Sequence, residues 1–258
     1  MRVAGICLSA AWLCLGATLP DASFAVEAQL EAVVSQLSAG YGTQDSQRAR
    51  FSWNGADHSL TQLGLERKRA FGESAQIFVA SHALDLNALD RVSVAVSGSD
   101  ALTIAARWRI DGQYSRKLGA QRDVVASLGA FASSTADGHR DRSLIGSAAW
   151  YFADRQVVQG GLRLARSDPG NRSAARVFAV YDWGAVGQDT VSLRVEAGRE
   201  AYQTLGANTA VANFASQELA LSWRRWLGQN WGFGWDATAY SNPAYRKATL
   251  GLVLFFSL

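Results

Sequence analysis

Through its second half the chain alternates apolar and polar side chains residue by residue, in segments of about ten residues, the length of a tilted membrane-crossing strand. Val191, Leu193, Val195 and Ala197 are apolar, while Ser192, Arg194, Glu196 and Gly198 between them are polar or tiny. Strand side chains alternate faces, so such a segment has one greasy face and one polar face. Trp231, Phe233, Trp235, Ala237 and Ala239 repeat the pattern against Gly232, Gly234, Asp236, Thr238 and Tyr240. Further runs lie at 122–133, 142–152, 157–166, 174–183 and 217–226. Soluble antiparallel sheets alternate too, so aromatic placement carries the membrane reading. Trp150, Phe152, Tyr181, Trp183, Trp223, Trp226 and Trp231 sit near strand ends, where membrane barrels place their interfacial girdles.

The connections supply a second signal. Counted back from the end, 241–244, 201–216, 167–173 and 134–141 fall on one side, and 227–230, 184–188, 153–155 and 117–121 on the other. The second set is short and three of the first are longer, the asymmetry of outer loops and periplasmic turns. In the N-terminal half, strands are expected at 33–42, 58–68, 75–83 and 90–98, with a long outer loop at 43–57 and a periplasmic lead-in at 26–32. The stretch 102–116 is long for one strand and short for two. Taken as one it gives an odd total, against the even parity of bacterial barrels. The expected fold is therefore all-β: a transmembrane antiparallel up-and-down barrel of about 12 strands, or 14 if 102–116 splits.

The last segment is the most specific. Leu250, Leu252, Leu254, Phe256 and Leu258 alternate with Thr249, Gly251, Val253, Phe255 and Ser257, and Tyr245 opens the strand. Tyr245, Gly251, Leu254, Phe256 and Leu258 read as an assembly signal for the barrel-assembly machinery. The final strand of a barrel must pair with the first to remove both edges. Such signals usually end in Phe, and Leu258 departs from that.

At the other end, Arg2, the apolar stretch Val3–Leu19 and the small residues of Ser23-Phe24-Ala25 make a secretory signal peptide. Cleavage after Ala25 leaves 26–258 as the barrel, exported to a Gram-negative outer membrane. Both cysteines, Cys7 and Cys14, lie within the signal, which excludes disulfide staples and thiolate chemistry from the mature chain. A net charge of +3 gives no argument for nucleic acid as a partner. The expected partners are outer-membrane lipid and lipopolysaccharide, the assembly machinery and a polysaccharide.

Arg122–Ser133, Leu144–Phe152, Gln159–Arg166 and Arg172–Trp183, with the Tyr245–Leu258 strand and the strand spacing, resemble the YaiO family of outer-membrane β-barrels. The resemblance implies a barrel with a link to surface polysaccharide export or modification, and it supplies no catalytic residues.

Three histidines are candidates for chemistry. His58 precedes Ser59, His82 follows Ser81, and His139 lies between Asp137 and Asp141. Adjacent Ser and His point to opposite faces of a strand, so neither pair makes a nucleophile–base contact. Asp137, His139 and Asp141 have ligand chemistry, but a solvated polar loop accounts for them. No catalytic residue, metal or cofactor is expected. Arg163, Arg176, Asp182, Arg194, Glu196, Arg224 and Asp236 fall on the polar register of their strands. An outward midplane Arg costs about 2–4 kcal/mol, so these charges are expected in the lumen, as a salt-bridged plug or a polar conduit. The leading functional reading is a non-enzymatic, porin-like barrel for passage or surface handling of a polysaccharide or other polar solute. The alternative is a barrel enzyme acting on lipid A, phospholipid or glycan.

Overall fold

The computed structural model describes residues 26–55, 58–152, 155–185, 188–204 and 210–258. The signal-peptide expectation at 1–25 lies outside the described residues. Fourteen antiparallel strands follow one another: β1 Val26–Leu37, β2 Gly42–Asn54, β3 Ser59–Ala70, β4 Glu73–Asp85, β5 Asp90–Ser99, β6 Trp108–Leu118 and β7 Val124–Ser134. Then come β8 Arg140–Phe152, β9 Gln156–Asp168, β10 Arg172–Gly184, β11 Asp189–Thr204, β12 Ala210–Trp226, β13 Trp231–Ser241 and β14 Arg246–Ser257. Each pairs with its chain neighbour, and β1 pairs with β14 to close the barrel. The closing register runs from Glu27↔Ser257 to Leu37↔Lys247, and the Leu258 amide donates to the Val26 carbonyl at 2.8 Å.

Register partners share a face, so the alternation sorts cleanly. Leu30, Leu65, Leu128, Leu162, Leu219 and Leu252 belong to the outward set and are exposed. Gln29, Glu66, Ser143, Gln159, Arg194 and Glu196 belong to the inward set and are buried. A protein greasy outside and polar inside inverts the soluble arrangement and matches a barrel in lipid. Outward aromatics gather at the end that carries the termini, with their polar tips tied to turn and strand-edge residues. Trp150 Nε1 donates to Asp123 at 3.3 Å, Tyr181 Oη to Gln156 at 3.0 Å, and Tyr114 Oη to Asp90 at 2.5 Å. This is the amphipathic belt of a membrane interface. Trp226 departs from the belt: it turns inward and packs edge-on against Phe255 at 4.7 Å.

The fourteenth strand comes from an unexpected place. The stretch 102–116 does not split: it contributes a single strand, β6, which starts only at Trp108, and 100–107 before it is a loop. Parity is restored by β2, which occupies most of the segment 43–57 expected as an outer loop. The lead-in expected at 26–32 is likewise strand, the first half of β1. In the 201–216 region β11 and β12 keep pairing out to Thr204↔Ala210, so most of that expected loop is a projecting hairpin. With this hairpin counted as strand, the two ends differ less in loop length than the sequence suggests. The exception is 100–107, on the end away from the termini.

That loop folds into the mouth. Ala101, Ile104 and Ala105 are buried against Ala70, Ala75 and Ile77 on the inner wall of β3 and β4. The Glu73 carboxylate accepts from the Leu102 amide at 2.6 Å and the Thr103 hydroxyl at 2.5 Å. Lys68 Nζ donates to the Ile104 carbonyl at 3.4 Å.

Leu252 is 60% exposed in the middle of β14. In lipid vesicles, Leu252→Arg is expected to lower unfolding stability by about 2–4 kcal/mol, read from the urea midpoint. Thr249→Ser, on the inner face, leaves it within about 0.5 kcal/mol.

Candidate functional site: the barrel lumen

All seven charges singled out from sequence lie on the inward register of their strands, and the structure sorts them into two groups. The first centres on Glu196 of β11, whose side chain is fully buried. Arg194 lies two residues away on the same face, and its Nη2 donates to Glu196 Oε2 at 2.5 Å. Arg176 Nε and Arg163 Nη1 lie 3.1 Å and 3.7 Å from Glu196 Oε1. The register explains the convergence. Arg163 and Arg176 are directly opposite on β9 and β10, and like charges so placed repel unless a carboxylate stands between them. Arg194 also lies over the Phe178 ring at 4.8 Å. Phe178 in turn covers Gly161 on β9, where any Cβ would overlap the ring.

The network continues toward the mouth. Arg176 Nη1 is 3.4 Å from Glu200 Oε1, and Glu200 accepts from the Tyr240 hydroxyl at 2.8 Å. Asn242 Nδ2 donates to the same hydroxyl oxygen at 3.1 Å. One chain of polar contacts thus links β9 to β13. Tyr240 sits with Leu37 and Tyr245 in a small apolar cluster that Tyr41 and Phe71 border.

The second group lies on the wall formed by β12–β14 and β1–β3. Arg48 bridges Glu31 and Glu66, at 3.0 Å to each, across three adjacent strands. Arg224 and Asp236 belong to the same inner surface, on β12 and β13. Gly251 of β14 stands opposite Asp236, and a side chain there would collide with the Asp236 carboxylate. Sequence reading missed this group because Glu31 fell in the expected lead-in and Arg48 in the expected loop, which left Glu66, on a strand that was expected, without visible partners. Asp182 stands apart from both groups, opposite Ser192.

Between these charged walls, β5–β8 present a small and uncharged inner face at mid-height. Ser115 and Ser127 hydroxyls are 2.8 Å apart across β6 and β7, and Gln159 on β9 donates to Ser147 on β8 at 3.2 Å. Ser97 and Gly129 fall on the same inward register. Below the mouth, Arg109 pairs with Asp111 and lies 4.0 Å over Phe131.

The histidines are scattered. His82 faces outward, with its Nδ1 3.0 Å from the Thr61 hydroxyl, and His58 occupies a turn with positive φ. His139 is not in a solvated loop: it is 3% exposed and stacks on Tyr202 at 4.2 Å. Its Nε2 is 3.4 Å from Asp141, while Asp137 accepts instead from Thr135. Among the described residues no three His, Cys, Asp or Glu side chains converge as a metal site. The Ser167 hydroxyl also donates to Asp141, so the carboxylate joins the serine and imidazole rather than orienting an imidazole toward a nucleophile. The residues of the assembly signal divide by face. Leu254 and Phe256 point outward in β14, Gly251 points inward, and Tyr245 is buried in the turn before the strand.

A family model, the YaiO membrane beta barrel domain, matches residues 27–203. Solved structures share the fold at low identity. A TodX deltaS2S3 mutant monoaromatic hydrocarbon channel is 10% identical over 93% of this chain and 91% of its own, with a TM-score of 0.60. A bacterial polysaccharide outer membrane secretin is 7% identical over 92% of this chain and 100% of its own, with a TM-score of 0.59. An anion-selective porin from Comamonas acidovorans is 8% identical over 92% of this chain and 99% of its own, with a TM-score of 0.51. No curated protein matches the chain.

Glu196→Gln leaves three guanidinium groups around a neutral amide. Breaking a buried pair from one side is strongly destabilising, and a loss of about 3 kcal/mol in urea unfolding is expected. Tyr240→Phe removes two hydrogen bonds, one to the Glu200 carboxylate and one from Asn242, and should cost about 1–3 kcal/mol.

Proposed function

The chain belongs to the YaiO membrane beta barrel family, an outer-membrane β-barrel, and on that premise we propose that it is a non-enzymatic conduit for a neutral, hydroxyl-rich solute such as a saccharide chain. One observation carries the reading: the lumen is lopsided. Bulky charged side chains are locked into ion pairs on two walls, while at mid-height the β5–β8 wall presents mainly serine, glycine, alanine and glutamine, between the Arg109–Asp111 pair near the mouth and the Arg91–Asp85 pair near the termini. A fourteen-strand barrel is wider than the eight-strand case that side chains fill, so the short residues of β5–β8 leave the widest lane beside them. Hydroxyl and carboxamide groups both donate and accept hydrogen bonds, and can exchange partners with a sugar's hydroxyls along the lane. The paired charges offer little to such a solute and set the opposite boundary. Loop 100–107 overhangs the entrance from β3 and β4, so it limits what enters by size. The polysaccharide outer membrane secretin among the similar folds is consistent with a saccharide cargo, as is the uncharged chemistry of the lane.

Purified protein in planar bilayers is expected to show discrete currents that soluble oligosaccharides reduce. Ser127→Trp fills the lane and should lower the conductance several-fold. Deletion of 102–105 should raise it. A silent barrel, or one whose current ignores Ser127→Trp, would reject the conduit.

A further inference from the structure

The outward face carries charges as well, and they are unevenly partnered. At the end with the termini, Arg116 pairs with Asp90 at 3.6 Å and Arg225 with Asp189 at 3.7 Å. At the loop end the pattern differs. Arg142 of β8 and Arg166 of β9 are direct register partners, both exposed on the outward face. Neither has a carboxylate partner among the described residues. Like charges opposite one another on neighbouring strands are destabilising, and a site at the rim of the apolar band makes that cost persist unless an anion neutralises it. The lumen solves the equivalent problem, Arg163 opposite Arg176, with Glu196. Outside, nothing described in the chain plays that part.

Beside this pair the outer surface is concave. A trough of ≈ 1010 Å³ crosses the strands from Val94 on β5 to Arg199 on β11, and Arg142 and Arg166 themselves line it. Its floor is Gly112, Ala130 and Ala132, and Ile110 and Leu144 stand at its sides. At Gly112 the space where a Cβ would stand is open. Arg199 of β11 borders the same trough and is held there by Asn213, through Nε at 2.9 Å. Along β8 the outward residues read Arg142, Leu144, Gly146, Ala148 and Trp150: cation at the loop end, then aliphatic, then small, then the aromatic belt.

We infer that Arg142, Arg166 and the trough beside them form a binding site for a phosphorylated, multiply acylated saccharide lipid, the lipid A portion of lipopolysaccharide. The occupant follows from the chemistry. Two adjacent guanidinium groups match phosphate oxygens bidentately. The loop end faces the outer leaflet in a barrel with periplasmic termini. An apolar trough that crosses several strands beside the two guanidinium groups, lined by Val94, Ile110, Leu144 and Leu164, fits acyl chains rather than a protein or a soluble anion. The site lies on the membrane face and does not depend on what passes through the lumen.

The test uses the full mature barrel in detergent and native mass spectrometry. The probes are bisphosphorylated hexa-acylated lipid A, its dephosphorylated form and phosphatidylglycerol. The barrel is expected to retain one bisphosphorylated lipid A and to bind the other two at least about tenfold more weakly. R142Q/R166Q should lose about the same factor. Ala130→Trp fills the trough without changing charge and should also weaken binding, while Arg140→Gln, opposite Asp168, leaves it unchanged. Heat-modifiable migration on gels verifies that each variant folds. Equal retention of phosphatidylglycerol, wild-type binding by R142Q/R166Q, or an equal loss in Arg140→Gln would each overturn the site. Bilayer conductance of R142Q/R166Q should match wild type, so failure of the conduit and failure of this site read out separately.

Discussion

The hydrogen-bonded seam between β1 and β14 is what the rest of the structure depends on. In hydrocarbon an unpaired backbone N–H or C=O costs several kcal/mol, and an open sheet would expose two rows of them. Pairing from Glu27↔Ser257 to Leu37↔Lys247 removes both edges at once. The seam explains two features of the terminal strands that look unrelated. The last residues must be strand to the end, because β1 needs a partner as far as Val26. β1 must be strand from its first described residue for the same reason, although Glu27, Gln29 and Glu31 make it look polar.

How far the sequence could be read follows from this division of faces. Strands whose outward set is leucine, valine and tryptophan, such as β8, β11 and β14, are visible in the alternation alone. β2 was hidden because its outward set is Asp45, Gln47, Ala49, Phe51 and Trp53, apolar only toward one end, while Arg48 and Arg50 occupy its inner face. Averaged hydropathy reads such a strand as a loop. Loop 100–107 misleads in the opposite sense. Its Ala101, Ile104 and Ala105 are apolar because they tuck against the inner wall, and apolar residues next to β6 read as strand. The charges now found around Glu196 could be placed on one face from strand parity. Their convergence could not, since it needs the relative register of β9, β10 and β11.

The lumen and the membrane face pose the same electrostatic problem in different surroundings. Inside, Arg163 opposite Arg176 is resolved by Glu196 and extended through Glu200 to Tyr240. Outside, Arg142 opposite Arg166 has lipid for a neighbour. At the end with the termini the outward Arg116 and Arg225 hold carboxylates at 3.6 Å and 3.7 Å, and at the loop end Arg142 and Arg166 hold none among the described residues.

A closed ladder resists stretching around its circumference but bends readily between strands, so lateral pressure from lipid tends to flatten such a cylinder into an oval. The chain Arg163–Glu196–Arg176–Glu200–Tyr240 spans β9 to β13 and couples strands that the ladder does not. It acts as a cross-brace that holds the curvature of that quadrant. At mid-height the wall of β5–β8 carries short side chains whose contacts, Ser115 with Ser127 and Gln159 with Ser147, each join only two adjacent strands. Compliance is therefore concentrated on that wall, where the cross-section can widen as the stiff side keeps its shape.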